Sequence, residues 1–162
     1  MLAGSVFALR ILGMIELNLN LANISPLIFI AFVIGWMIQG FEEELVTRSV
    51  VMNFFAAKRG VMVGIIANSL IFSLLHLGNN AFSVLPFINI LLVGILYSLL
   101  FYLSDDIFLP AAAHSFWNFT QGNIFGTEVS GMGEINNTIF KTKLMGSDLI
   151  SGGALALKDL FL

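Results

Sequence analysis

The side chains able to move protons or carry charge in apolar surroundings are Glu42, Glu43, Glu44, Arg48, His76 and His114. Three acids and a base lie within Gly40-Phe41-Glu42-Glu43-Glu44-Leu45-Val46-Thr47-Arg48, between PLIFIAFVIGWMIQ and SVVMNFFAA. A charge at membrane depth costs about 2.5–3.5 kcal/mol on insertion scales, so charges kept there are expected to have a use. Glu44 and Arg48 stand at the i,i+4 spacing and in the order that favours a structural ion pair. Glu43 points about 100° away, on a face with Gln39 and Thr47, and has no basic partner at helical spacing. That leaves Glu43 as the carboxylate available to act as a general base.

Two further stripes have the same period. Asn68, Phe72 and His76 recur every four residues, and so do His114 and Asn118; these are the only two histidines in the chain. Glu43 with a histidine can take a proton from water, and a second histidine with an asparagine amide can donate hydrogen bonds to an oxyanion. That set suits hydrolysis of an amide or ester. Glu43, His76 and His114 also have the donor types for Zn²⁺ with an open fourth position, although no HExxH is present. Ser49, Ser69, Ser73 and Ser115 occur in no distinctive nucleophile motif, and the absence of Cys excludes thiol chemistry and disulfides. Each stripe alone has a plainer reading: a satisfied core histidine, a Glu–Arg lock, or an asparagine bridging two helices. Their coincidence on separate apolar helices points to one shared polar site.

These residues must be positioned by helices in lipid. The 162 residues are 58% hydrophobic and 10% charged, against about 25% charged in soluble domains. A soluble core of this size has no room for that much apolar surface. The expected fold is an all-α, polytopic membrane protein, a bundle with about four core transmembrane helices around a polar cavity. The net charge of −3 comes from scattered acids, and no basic stripe points to nucleic acid.

Three regions follow. Residues 1–25 form an apolar, interfacial segment with Arg10 and Glu16; residues 26–126 form the core; residues 127–162 form a polar loop and a short apolar tail. In the core, one helix is expected over 26–57, starting at Ser25-Pro26, a cap and first-turn pair. At 1.5 Å per residue it would be ~48 Å long, too long for one straight span, so a bend near Gly35 or Gly40 is expected. Further helices are expected over 61–77, 84–103 and 110–125.

The motif order resembles a known family. Glu43-Glu44-x-x-x-Arg48, Phe72-x-x-x-His76 and His114-x-x-x-Asn118 look like the EExxxR, FxxxH and HxxxN/D set of the CPBP (CAAX protease and bacteriocin-processing, Abi) intramembrane proteases, prokaryotic Rce1-like members included. The resemblance spans about residues 30–126 and implies an intramembrane glutamic endopeptidase in a prokaryotic cell membrane. By it, Glu43 and His76 activate water while His114 and Asn118 stabilise the oxyanion; Glu44 and Arg48 are structural, and Asn68 and Phe72 stand behind them. The substrate implied is a peptide, lipidated or CAAX-like. A metal-free mechanism is favoured, with Zn²⁺ on Glu43, His76 and His114 as the competing reading. Ser49 departs from the family, where Gly is common after the Arg, and Glu42 extends the acid pair to a triplet. The alternatives are a bacteriocin immunity or membrane scaffold protein that binds through the same groove, and a proton-coupled carrier, against which stands the lack of an inverted repeat.

Depth sets a condition on the site. Measured from Lys58-Arg59, Glu43 lies ~21 Å and His76 ~24 Å deep if the helices stand upright. A last helix beginning at Asp106 would leave His114 only ~12 Å deep, whereas an extended approach through 105–109 and a helix from Pro110 would bring it to ~20 Å.

Overall fold

The protein is described by a computed structural model over residues 2–76, 84–129, 133 and 135–145. The chain forms two compact units: Gly35–Phe116, and the flanking segments Met1–Ile34 with Trp117–Leu162.

The helices in chain order are α1 (Leu2–Ile11), α2 (Pro26–Glu44), α3 (Asn53–Arg59), α4 (Val61–Leu75), α5 (Val84–Ser104) and α6 (Phe108–Phe119). Among the described residues, two stretches, Pro26–Arg59 and Phe87–Ser104, are long and apolar enough to cross a membrane; α4 is apolar but shorter. Leu27, Met37, Ile38, Leu92 and Leu103 are all exposed. Such an exterior suits contact with lipid, because contiguous apolar surface in water drives association.

The long stretch Pro26–Arg59 stays helical throughout, but the expected bend near Gly35 or Gly40 is not where its irregularity lies. Leu45–Met52 winds as a π-helix between α2 and α3, and it carries Thr47 and Arg48, both buried. Thr47 Oγ1 donates to the Glu43 carbonyl, a bond that competes with the main-chain ladder and disturbs it. Gly40 serves close packing instead: a Cβ there would fall 2.9 Å from the Ser115 nitrogen of α6.

In Gly35–Phe116, α3 ends at Gly60, whose φ of 91° turns the chain into α4. A Cβ on Gly64 would meet the Met52 carbonyl at 2.8 Å, so α4 lies tight against the helix before it. On α5, a Cβ on Gly94 would lie 3.2 Å from Ser69 of α4, and Asn68 donates to Ser98 Oγ at 2.9 Å.

The last helix also starts differently from the expectation. No extended approach precedes Pro110; α6 begins at Phe108, whose N–H donates to Asp106 Oδ1 at 2.9 Å. Pro110 is tolerated because the first helical N–H groups have no partner within the helix. The regular helix stops at Phe119, and Thr120–Ile124 continues as a π turn.

The flanking unit holds an antiparallel pair, β1 (Ile15–Leu19) with β2 (Phe140–Leu144), which sets Glu16 opposite Lys143. These strands depart from the all-α expectation, and β2 lies in the stretch read as polar loop. Beside them Val6, Leu9 and Ile15 form a small core with Met14, Leu17, Trp117 and Phe125.

Candidate active site

The residues singled out by spacing lie within Gly35–Phe116, with one exception. Glu44 is at the centre. Its side chain is fully buried and lies 2.9 Å from Arg48 Nε, the i,i+4 pair expected from the helix. The approach is off-line, so it acts as charge pairing rather than as a linear hydrogen bond. The second oxygen of Glu44 has a partner that spacing could not give: Oε1 is 2.8 Å from His114 Nδ1, across 70 residues of sequence.

Arg48 is equally buried and is held from several sides. Nη2 donates to the Gly94 carbonyl at 3.3 Å, Nη1 donates to Thr47 Oγ1, and the guanidinium carbon lies 4.8 Å from the Phe72 ring centroid and 5.7 Å from that of Tyr97. A buried cation is retained when it is paired and its remaining protons are satisfied. The Gly94 carbonyl also accepts from Ser98 Oγ, which in turn accepts from Asn68. Asn68 therefore reaches the ion pair through α5 and does not face the carboxylates directly.

Glu43 differs from its neighbour. Its side chain is 30% exposed, and Gln39 Nε2 donates to Oε1. Oε2 is buried and has no hydrogen-bond partner among the described residues. It faces His114 Nε2 at 3.9 Å, too long for a hydrogen bond. Glu44 is thus held from two sides, by Arg48 and by His114, whereas Oε2 of Glu43 has an imidazole beside it and no hydrogen bond among the described residues.

The two histidines share Phe72, with ring centroids 4.6 Å from His76 and 6.1 Å from His114. His76 Nδ1 is 2.8 Å from the Phe72 carbonyl. A carbonyl oxygen can only accept, so Nδ1 carries the proton and the lone pair of a neutral His76 is on Nε2. Among the described residues His76 forms no ion pair with Glu43 or Glu44. Asn118, the exception, lies one turn beyond His114 on α6 and is buried within the flanking unit.

Sequence spacing missed Tyr97. It is 3% exposed, and its ring stacks on His114 at 5.2 Å and 26°. A tyrosine in an apolar helix reads as core, and no motif singles it out. For a metal, the donor types are present in Glu43, His76 and His114, but no three His, Asp or Glu side chains among the described residues converge as a ligand set. Nδ1 of each histidine already has a protein partner.

A family model described as type II CAAX prenyl endopeptidase Rce1-like matches residues 25–120. No curated protein and no solved structure matches the chain.

Proposed function

The chain belongs to the Rce1-like family of type II CAAX prenyl endopeptidases, and from that premise we propose that it hydrolyses a membrane-associated, prenylated peptide with water activated by Glu43. Family membership makes it a protease, and with two apolar helices of spanning length it is an integral membrane protein. The observation that carries the mechanism is the vacant, buried Oε2 of Glu43 facing His114.

Glu43 Oε2 takes the proton of a water as that water attacks the scissile carbonyl, and returns it to the leaving amine nitrogen as the tetrahedral intermediate collapses and the C–N bond breaks. Gln39 holds the other oxygen and so fixes the rotation of the carboxylate. His76 offers the Nε2 lone pair as a second acceptor for the attacking water. His114 is anchored through Nδ1 on Glu44; with both ring nitrogens protonated, Nε2–H is a donor for the oxyanion. The resemblance adds Asn118, one turn on, as the second oxyanion donor. Glu44 and Arg48 hold this arrangement without taking part in proton transfer. Four core helices around a polar cavity would keep the site accessible to water and to a peptide entering from the bilayer.

A CAAX substrate ends in a prenylated Cys, two aliphatic residues and a variable residue, and its lipid partitions into the bilayer. The test is cleavage of an internally quenched farnesylated CAAX peptide by purified protein in liposomes, with the unprenylated peptide alongside. Cleavage that is lost in Glu43→Gln and survives chelation is expected. Full activity in Glu43→Gln sinks the base assignment, and loss on chelation restored by Zn²⁺ sinks the metal-free mechanism.

A further inference from the structure

We propose that Tyr97 is a positioning residue for the hydrolysis, setting the plane of the His114 imidazole; this rests on His114 being part of the catalytic centre. The bond from His114 Nδ1 to Glu44 and the covalent tether through Cβ–Cγ hold the ring at two points, and the tilt that the hydrogen bond still tolerates is limited by the faces packed on the imidazole. The direction of Nε2 depends on the ring plane, and two aromatic contacts define it. Tyr97 lies nearly flat on the imidazole, with planes 26° apart at 5.2 Å. Phe72 meets it nearly perpendicular, at 82° and 6.1 Å. With the plane so held, Nε2 lies 3.9 Å from the vacant oxygen of Glu43.

Tyr97 is well placed to hold that plane because its own position is constrained. It is buried on α5, three residues beyond Gly94 and next to Ser98. These three positions share one face of the helix at i, i+3 and i+4. The Gly94 carbonyl takes Arg48, Ser98 takes Asn68, and the guanidinium lies over the Tyr97 ring. One face of α5 therefore sets both the cation that holds Glu44 and the ring that orients His114. Offset-stacked rings prefer a defined geometry, whereas an aliphatic side chain of similar bulk imposes none.

The test is steady-state cleavage of the farnesylated peptide by Tyr97→Leu and Tyr97→Phe, with thermal denaturation in detergent measured on the same samples. Misplacing a catalytic group by about 1 Å costs on the order of 100-fold, so kcat of Tyr97→Leu is expected to fall by about that factor. KM should stay within about threefold, because substrate binding is not the affected step. Tyr97→Phe keeps the flat ring and should restore most of kcat. Should Tyr97→Leu not purify as a folded protein, Tyr97→Met takes its place, since it fills the volume without a flat face. Unchanged kcat in the aliphatic variant overturns the proposal. So does equal loss in Tyr97→Phe, which would assign the effect to the hydroxyl, or a loss that tracks the folded fraction alone. His114→Ala run in parallel separates the two readings: if it stays active, the catalytic reading itself falls.

Discussion

In Gly35–Phe116 the buried polarity is ionic: Glu44 stands between Arg48 and His114, and Arg48 is held further by the Gly94 carbonyl and two aromatic faces. In the flanking unit it is neutral and built from amides. Asn20 donates to the Thr138 carbonyl at 3.2 Å, Asn123 to the Asn137 carbonyl at 2.9 Å, and Gln121 to the Glu128 carbonyl at 2.7 Å. Asn137 accepts the Ser25 N–H at 2.8 Å. The amides close main-chain groups of the loops, and Asn137 both accepts from the Ser25 N–H and donates to its carbonyl. The ionic cluster needs all its members, since removing one leaves a bare charge without water. Its reward is chemical, because the ionic region holds a buried carboxylate oxygen, Oε2 of Glu43, without a hydrogen-bond partner among the described residues. The two regions differ as a reactive device differs from a seam.

The sharpest way to break that contrast is Glu43→Gln. As a general base it should be worth about 10²–10⁴ in rate, with the denaturation midpoint unchanged. A midpoint that falls with the activity would make Glu43 structural, like its neighbour. Next comes Glu44→Ala, expected to cost about 3–5 kcal/mol because Arg48 is left buried and unpaired. Chemical denaturation reads this directly. Replacing Glu44 and Arg48 together by Met should recover much of that stability while leaving the enzyme inactive, and a single variant as stable as wild type would refute the ionic lock. Gly40→Ala is smaller: the added methyl meets the Ser115 nitrogen, one residue past His114, and overpacking of this kind costs about 1–3 kcal/mol. Peptide turnover should drop with it as α6 is pushed from α2. Smallest is Asn123→Ala in the flanking unit, which removes the bond to the Asn137 carbonyl and should cost about 1 kcal/mol while leaving kcat of the folded protein unchanged. A collapse of activity there would mean that the amide seam also serves the chemistry.

Much of the helical architecture was legible. Apolar runs bounded by Pro26, Gly60 and Ser104 gave the stretch Pro26–Arg59, α4 and α5 within a few residues, because helix ends follow local backbone chemistry, while the division of the first stretch into α2, a π-helix and α3 was not expected. The strands carry a signal in the sequence as well. Ile15-Glu16-Leu17-Asn18-Leu19 and Phe140-Lys141-Thr142-Lys143-Leu144 both alternate in a period of two, which is the strand signal. The π turn at Leu45–Met52 was not legible, since no residue there is a Gly or Pro and the disturbance comes from a threonine bonding back to the main chain.

The sequence by itself determined the pairings that lie within one helix: Glu44 with Arg48 and Phe72 with His76, because four residues make about one turn and bring side chains together wherever the helix goes. It also determined that the charges lie in apolar surroundings. Tertiary structure alone decided that Glu44 has a second partner in His114, that Tyr97 covers that ring, and that Glu43 keeps one oxygen free. Those relations join α2, α5 and α6, and they depend on how closely helices approach, which Gly40 permits between α2 and α6 and Gly94 between α4 and α5, and which no local spacing encodes.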